Sequence, residues 1–202
     1  MKHEAIFFDW GGVIGNDPDD NFLGDLLISI GATQQQKEEI LDTYKISFMR
    51  GQLSEKEYWD ALRKKYGLSI HDSISDEFKK WKGLEANQEV LDLVDLARKE
   101  NIKVAVFSNV IEPTYAVIKE AGYYDLFDDV IASCKVGYAK PDKEIYEIAL
   151  KRLDVPAEKS VFIDDKQRNL DPAEEMGFTT MLVENQSQLI KDLRDIIRDN
   201  RS

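Results

Sequence analysis

Four short apolar runs constrain this chain more than anything else in it: AIFF (5–8), VAVF (104–107), SVFI (160–163) and TTMLV (179–183). Each is the length of a strand, continuous rather than alternating, and set apart from the next by helical periodicity. Parallel strands have this character because crossover helices cover both faces of their sheet and leave no side for polar residues. DVIA (129–132) is a weaker fifth run. Helical stripes lie between the runs at Val90, Leu91, Val94, Leu96 and Ala97, at Ile145, Ile148, Ala149 and Leu153, and at Leu189, Ile190, Leu193, Ile196 and Ile197. The pattern predicts an α/β protein built on a doubly wound parallel sheet.

From residue 9 to residue 103 the chain is far longer than one crossover helix requires, so something is inserted there. The insert is helical by its spacing. Phe22, Leu23, Leu26, Leu27 and Ile30 form one stripe; Ile40, Leu41, Tyr44 and Phe48 form a second. LSEKEYW announces a third helix, with Ser54 and Glu57 as a capping box and Leu53 stapled onto Tyr58. Phe78 and Trp81 suggest a fourth. Two domains follow: a core of residues 1–15 and 85–202, and a helical cap of residues 16–84.

A length of 202 residues with 43% hydrophobic content can bury a substantial core. A formal charge of −12 argues against nucleic acid and acidic membrane surfaces, which are bound through basic patches. Any anionic ligand must therefore meet a locally positive site. No run approaches the roughly 20 apolar residues of a membrane span, and MKHEAIFFDW reaches charge too soon for a signal peptide. A soluble, cytoplasmic protein is expected, its oligomeric state left open. The single cysteine, Cys134, excludes an internal disulfide framework and reads as a small buried hydrophobe.

Chemistry gathers where the apolar runs end. Asp9 follows the first, Ser108 and Asn109 the second, Asp164 and Asp165 the fourth run of the chain's core, SVFI. Ligands of open α/β sheets bind outside the carboxyl ends of the strands, so these distant residues are expected to converge. Lys140 in AKPD, just before a helix, is a fourth element of the group. Taken singly, each is ordinary turn, capping or surface chemistry. Their common position at strand ends is what sets them apart.

In these segments the chain resembles the haloacid dehalogenase-like hydrolase superfamily. FFDWGGVI is similar to its first motif, VFSN to its second, Lys140 of YAKPD to its third, and FIDDKQRNLDPAEEMGF to its fourth. The resemblance covers the whole chain and, through the insert after the first motif, points to the subgroup with a helical cap. It implies a phosphatase acting on a small phosphorylated metabolite through an aspartyl-phosphate, with Asp9 as nucleophile. It implies Mg²⁺ held by Asp9, the carbonyl of Gly11, Asp164 and Asp165. Lys140 would supply fixed positive charge, and Ser108 with Asn109 would bind the phosphoryl oxygens.

One departure stands out. Phosphatases of the family usually carry a second aspartate two residues after the nucleophile, as general acid and base; here that position is Gly11. Members with glycine there are similar to this chain and are taken as sugar-phosphate phosphatases. Arg50 is the cap residue expected to reach substrate. Asn169 reads as a cap residue or as a tie on the loop after the acidic pair; Asp171, Pro172, Glu174 and Gly177 read as the start and stop of a short helix. Two other functions fit the same residues: a non-catalytic binding protein, and a 2-haloacid dehalogenase, against which the acidic pair beside Asp9 speaks.

Overall fold

Strand β1, Ala5–Phe8, lies at the centre of a five-stranded parallel sheet because none of its four side chains tolerates water; all are wholly buried. The computed structural model describes residues 2–16, 18–71 and 84–200. With β2 (Lys103–Ser108), β3 (Asp129–Ala132), β4 (Ser160–Asp164) and β5 (Thr179–Leu182) the order is β3-β2-β1-β4-β5. All five expected runs are strands. The register sets Phe7 between Ala105 and Phe162 and Phe8 between Val106 and Ile163. After β1 the chain builds outward through β2 and β3, then returns to the other side for β4, so strand order reverses beside β1. That reversal opens a crevice at the carboxyl ends.

Alternation along the strands divides the core. Ile6, Phe8, Val104, Val106, Val161 and Ile163 meet the helices Gln88–Lys99 and Gln186–Asp199. Phe7, Ala105, Phe107 and Phe162 meet Lys143–Leu153 and Gln167–Met176 on the other face. Strand β5 departs from the expectation of two covered faces: it is an edge strand, and Thr179 and Leu182 are exposed.

The insert carries four helices among the described residues before residue 67: Pro18–Ser29, Gln34–Thr43, Lys45–Met49 and Glu55–Tyr66. They bury their own cluster, including Leu23, Leu27, Ile40, Phe48, Tyr58 and Leu62, with the Phe48 and Tyr58 rings stacked at 4.5 Å. The Ser54–Glu57 capping box forms, Gly67 ends that helix in the left-handed conformation, and a second box joins Thr33 to Gln36. The stripe expected from Ile40 to Phe48 is split at Tyr44 into two consecutive helices. Phe78 and Trp81, and Asp17 at the other linker, lie outside the described residues.

The two linkers meet. Asn16 N–H donates to the Glu85 carbonyl at 3.1 Å, and Glu85 N–H donates to Asn16 Oδ1 at 3.1 Å. A Cβ on Gly15 would come within 2.5 Å of the Glu85 carbonyl oxygen, so this crossing requires glycine. Among the described residues no helix is long and apolar enough to cross a membrane.

The helix after the acidic pair begins at Gln167, four residues before the Asp171 start read from the sequence, and carries Pro172 inside it. An interior proline costs a helical hydrogen bond. Burial of Asn169, Leu170 and Ala173 outweighs it. Gly177, at φ 100°, ends the helix as expected.

Candidate active site

The side chains expected to converge do so. Asp9 emerges from β1 with 6% of its surface exposed, its N–H donating to the Ile163 carbonyl at 2.9 Å. Asp9 Oδ1 accepts the Trp10 N–H at 2.7 Å, and the Ser108 hydroxyl at the end of β2 also bonds to this carboxyl. Burial is the largest influence on Asp9 and, with Asp164 adding to it, pushes its pKa up to about 7 against the opposing pull of Lys140.

Lys140 is the hub. Its ammonium donates to Asp164 Oδ2 at 2.6 Å and to the Phe107 carbonyl at 2.8 Å, and lies 3.2 Å from Asp9 Oδ1. Three partners for three N–H bonds leave it satisfied although the side chain is wholly buried. Asn109 fixes the backbone here in both directions: its Nδ2 donates to the Lys140 carbonyl and its Oδ1 accepts the Lys140 N–H, each at 2.8 Å. The peptide bond from Lys140 to Pro141 is cis.

Asp164 is wholly buried and accepts four contacts from three donor groups: Lys140 Nζ, Lys166 N–H at 2.8 Å, and Asn169 Nδ2 at 3.0 Å from each oxygen. A carboxylate offers about four lone-pair sites, so Asp164 is filled. Asp165 differs. Its Oδ1 is buried without a hydrogen-bond partner, and burial, with the neighbouring Asp164, pushes its pKa up. One oxygen from each of Asp9, Asp164 and Asp165 can be chosen so that all three lie within 4.8 Å of one another. Three carboxyls and one buried ammonium make a strongly anionic cluster. It suits a hard divalent cation with oxygen ligands.

Gly12 belongs to this geometry. It holds φ 73°, and a Cβ there would stand 2.7 Å from Asp165 Oδ2. Gly11, buried at the bottom of the site, is not among the residues with positive φ.

These groups floor a cavity of about 610 Å³. Lys45, Lys166 and Arg168 stand around it, so an acidic protein presents cations where an anion would enter. Its outer wall is the pair of helices Gln34–Thr43 and Lys45–Met49, which supply Leu41, Ile46 and Met49. A larger cavity of about 770 Å³ lies at the opposite, amino-terminal end of β2 and β3. Its arginines are paired, Arg98 with Asp128 and Arg152 with Asp129, and it lies far from the convergent carboxyls.

One residue stands elsewhere than expected. Arg50 does not line the cavity; its Nη2 donates to Asp142 Oδ1 at 2.7 Å, tying the insert to the residue that caps Lys143–Leu153. Of its two expected roles Asn169 takes the tie and not the cap: it grips both oxygens of Asp164, whose Oδ1 also accepts the Lys166 N–H of the following loop. Its place, five residues after the first acid and one turn into a helix, was the signal that could have revealed it. Phe48, part of the second helical stripe, and Trp59 are buried in the bundle, at 1% and 3% exposure.

The profile of the haloacid dehalogenase-like hydrolases matches residues 3–177. A sesquiterpene phosphatase from Aspergillus oryzae is 26% identical over 198 residues, which is 96% of this chain and 96% of that protein. Among solved structures, a HAD-like family hydrolase from Porphyromonas gingivalis superposes with a TM-score of 0.82 at 25% identity, covering 98% of this chain and 99% of that one. A HAD family enzyme from Bacteroides thetaiotaomicron, solved as a magnesium complex, has the same fold with a TM-score of 0.76 at 23% identity over 95% of this chain and 100% of that one.

Proposed function

The chain belongs to the haloacid dehalogenase-like hydrolase family, and on that premise we propose that it is a magnesium-dependent phosphatase of a small phosphorylated metabolite, working through an aspartyl-phosphate on Asp9. One observation carries this reading: the buried Asp9 and Asp164 and the half-buried Asp165 share a cluster with the buried ammonium of Lys140, at the floor of a cavity rimmed by cations. The Aspergillus oryzae relative, named a phosphatase, supports it. So does the solution of a protein of this fold with magnesium.

The residues fit the ion. Asp9, the buried and unpartnered Asp165 Oδ1, and the carbonyl of Gly11 are the ligands we assign. Asp164, with its lone pairs filled, is assigned the holding of Lys140 instead. When bound, magnesium offsets the repulsion between a carboxylate nucleophile and a phosphate. Asp9 then attacks phosphorus, the ester P–O bond breaks and the alcohol departs; water hydrolyses the acyl phosphate, restoring Asp9 and releasing inorganic phosphate. Ser108 binds the phosphoryl oxygens as charge develops on them, and Lys140, with its donors committed to Asp9, Asp164 and the Phe107 carbonyl, supplies fixed positive charge beneath them. Gly11 offers no proton, so the leaving oxygen takes its proton from water or from the substrate itself.

The helical insert is read as a cap domain, residues 16–84, on a core of residues 1–15 and 85–202. Its own apolar cluster, joined from the core by Ile111, and the meeting of both linkers at Gly15, Asn16 and Glu85 support that division. A cap so attached closes the cavity over substrate and excludes water.

The test is phosphate release from a panel of phosphomonoesters with magnesium and then with chelator. Release abolished by chelator and restored by magnesium is expected. Release that persists at full rate in chelator would remove the metal from the mechanism.

A further inference from the structure

Resting on the phosphatase reading, we infer that the organic part of the substrate is a hydrocarbon body, so that the enzyme takes aliphatic phosphomonoesters in preference to phosphorylated polyols. The cavity has two chemically distinct parts. The floor and rim, with Ser108, Lys45, Lys166 and Arg168, match a phosphate. The wall facing them does not match a sugar. The helices Gln34–Thr43 and Lys45–Met49 turn Leu41, Ile46 and Met49 into the cavity, and Val110 and Pro141 complete the apolar lining from the core side.

Ile46 is the informative residue. Its neighbours Ile40 and Phe48 are fully committed to the bundle, at 0% and 1% exposure, whereas Ile46 is 37% exposed and stands outside that cluster. It lines the cavity and, among the described residues, is not part of the bundle's apolar cluster. A ligand body of hydrocarbon would cover it, at a gain set by the apolar area removed from water. A polyol would need several hydrogen-bonding partners, because a hydroxyl brought into an apolar site without one is penalised. On this helical wall the polar lining is Asp42 and Lys45, both charged, while the neutral polar lining, Ser108, Asn109, Thr114 and Asn169, lies on the core side toward the phosphate end. At about 610 Å³ the cavity is within the range of pockets that enclose a whole small molecule, so the body as well as the phosphate lies inside it.

The experiment measures kcat/KM with magnesium for primary n-alkyl phosphates from ethyl to decyl, for glucose 6-phosphate and ribose 5-phosphate, and for acetyl phosphate. All the esters leave as primary alkoxides, so leaving-group quality is held nearly constant while the body changes. The expected result is a rise of about 2- to 4-fold per methylene until the cavity is filled, the size expected for burial of one CH₂. Octyl phosphate then exceeds either sugar phosphate by at least about 10-fold. Ile46→Asn, checked for folding by circular dichroism, should flatten the slope by lowering the rate for octyl phosphate more than for ethyl phosphate. A flat series, or sugar phosphates ahead of octyl phosphate, overturns the hydrocarbon body and leaves the phosphatase standing. Absence of phosphate release from every compound, acetyl phosphate included, overturns the phosphatase reading and this inference together. The wild-type series alone decides the matter should the variant fail to fold.

Discussion

Lys140 Nζ lies 2.6 Å from Asp164 Oδ2, and neither side chain retains any exposure to solvent. An ion pair this deep is held by its hydrogen bonds rather than by bare attraction, and both partners here are filled: three acceptors around the ammonium, three donor groups making four contacts around the carboxylate. The same ammonium reaches the proposed nucleophile, Asp9, so integrity of the fold and readiness of the site rest on one side chain.

Lys140→Met should therefore damage both. Removing one partner of a buried pair costs about 3–5 kcal/mol, and here it strands Asp164 and Asp9 together. Urea denaturation should show a loss of that order, and phosphate release should fall below detection. Near wild-type stability in Lys140→Met would mean that the pair is weaker than its burial indicates.

Asp9→Asn should separate chemistry from stability. The amide keeps the shape and can still accept the Trp10 N–H, yet it is a poor nucleophile. Turnover should vanish. Because burial works against the charged form of Asp9, the variant should melt no earlier than the wild type in chelator. Thermal melts and phosphate assays on the same preparation check both halves.

The two acids of β4 and its following loop should behave differently when changed one at a time. Asp165→Asn should weaken magnesium binding at least about 10-fold, the scale on which even indirect contacts act, with no loss of metal-free stability. Asp164→Asn should lower stability by about 3 kcal/mol, as expected when Lys140 is left buried without its partner. Calorimetry with magnesium, paired with denaturation of the metal-free variants, would expose a wrong division of labour if the two patterns were exchanged.

Gly12→Ala offers a test that touches no ionisable group. The left-handed φ of 73° disfavours alanine, by about 1–2 kcal/mol, and its Cβ would press on Asp165 Oδ2 from 2.7 Å. Magnesium affinity should drop while the sheet remains intact. Unchanged affinity in a folded Gly12→Ala protein would show that Asp165 can move aside without loss.

Gly11→Asp should add the missing general acid and base. Gly11 lacks the positive φ that constrains Gly12, so the backbone there admits a side chain. Turnover should rise most for alkyl phosphates, whose oxygens leave poorly without a proton, by up to about 10²-fold. Aryl phosphates should gain less. A folded, magnesium-binding Gly11→Asp protein with no gain on either class would mean that the proton already has an efficient source.

The sheet and most of the helices were legible in the sequence by itself, since continuous apolar runs such as AIFF and SVFI have no stable place except between two covering layers. Capping chemistry was equally local, and Ser54 with Glu57 and Gly177 fell where short-range hydrogen bonding and a left-handed stop require. The convergence of Asp9, Ser108, Lys140, Asp164 and Asp165 followed from one topological rule, that parallel strands deliver their carboxyl ends to one edge. What only the tertiary structure decided were the pairings across long separations. Arg50 is held by Asp142 rather than left for a ligand, because packing of the insert brings those charges to 2.7 Å. Asn169 grips Asp164 because burial carries its helix back to Gln167 despite Pro172. Asp164 and Asp165, adjacent and chemically identical in the chain, acquire opposite surroundings, one with every lone pair filled and the other with a buried oxygen unpartnered. Strand alternation sends neighbouring side chains to different sides, and which partners wait on each side is a property of the folded chain alone.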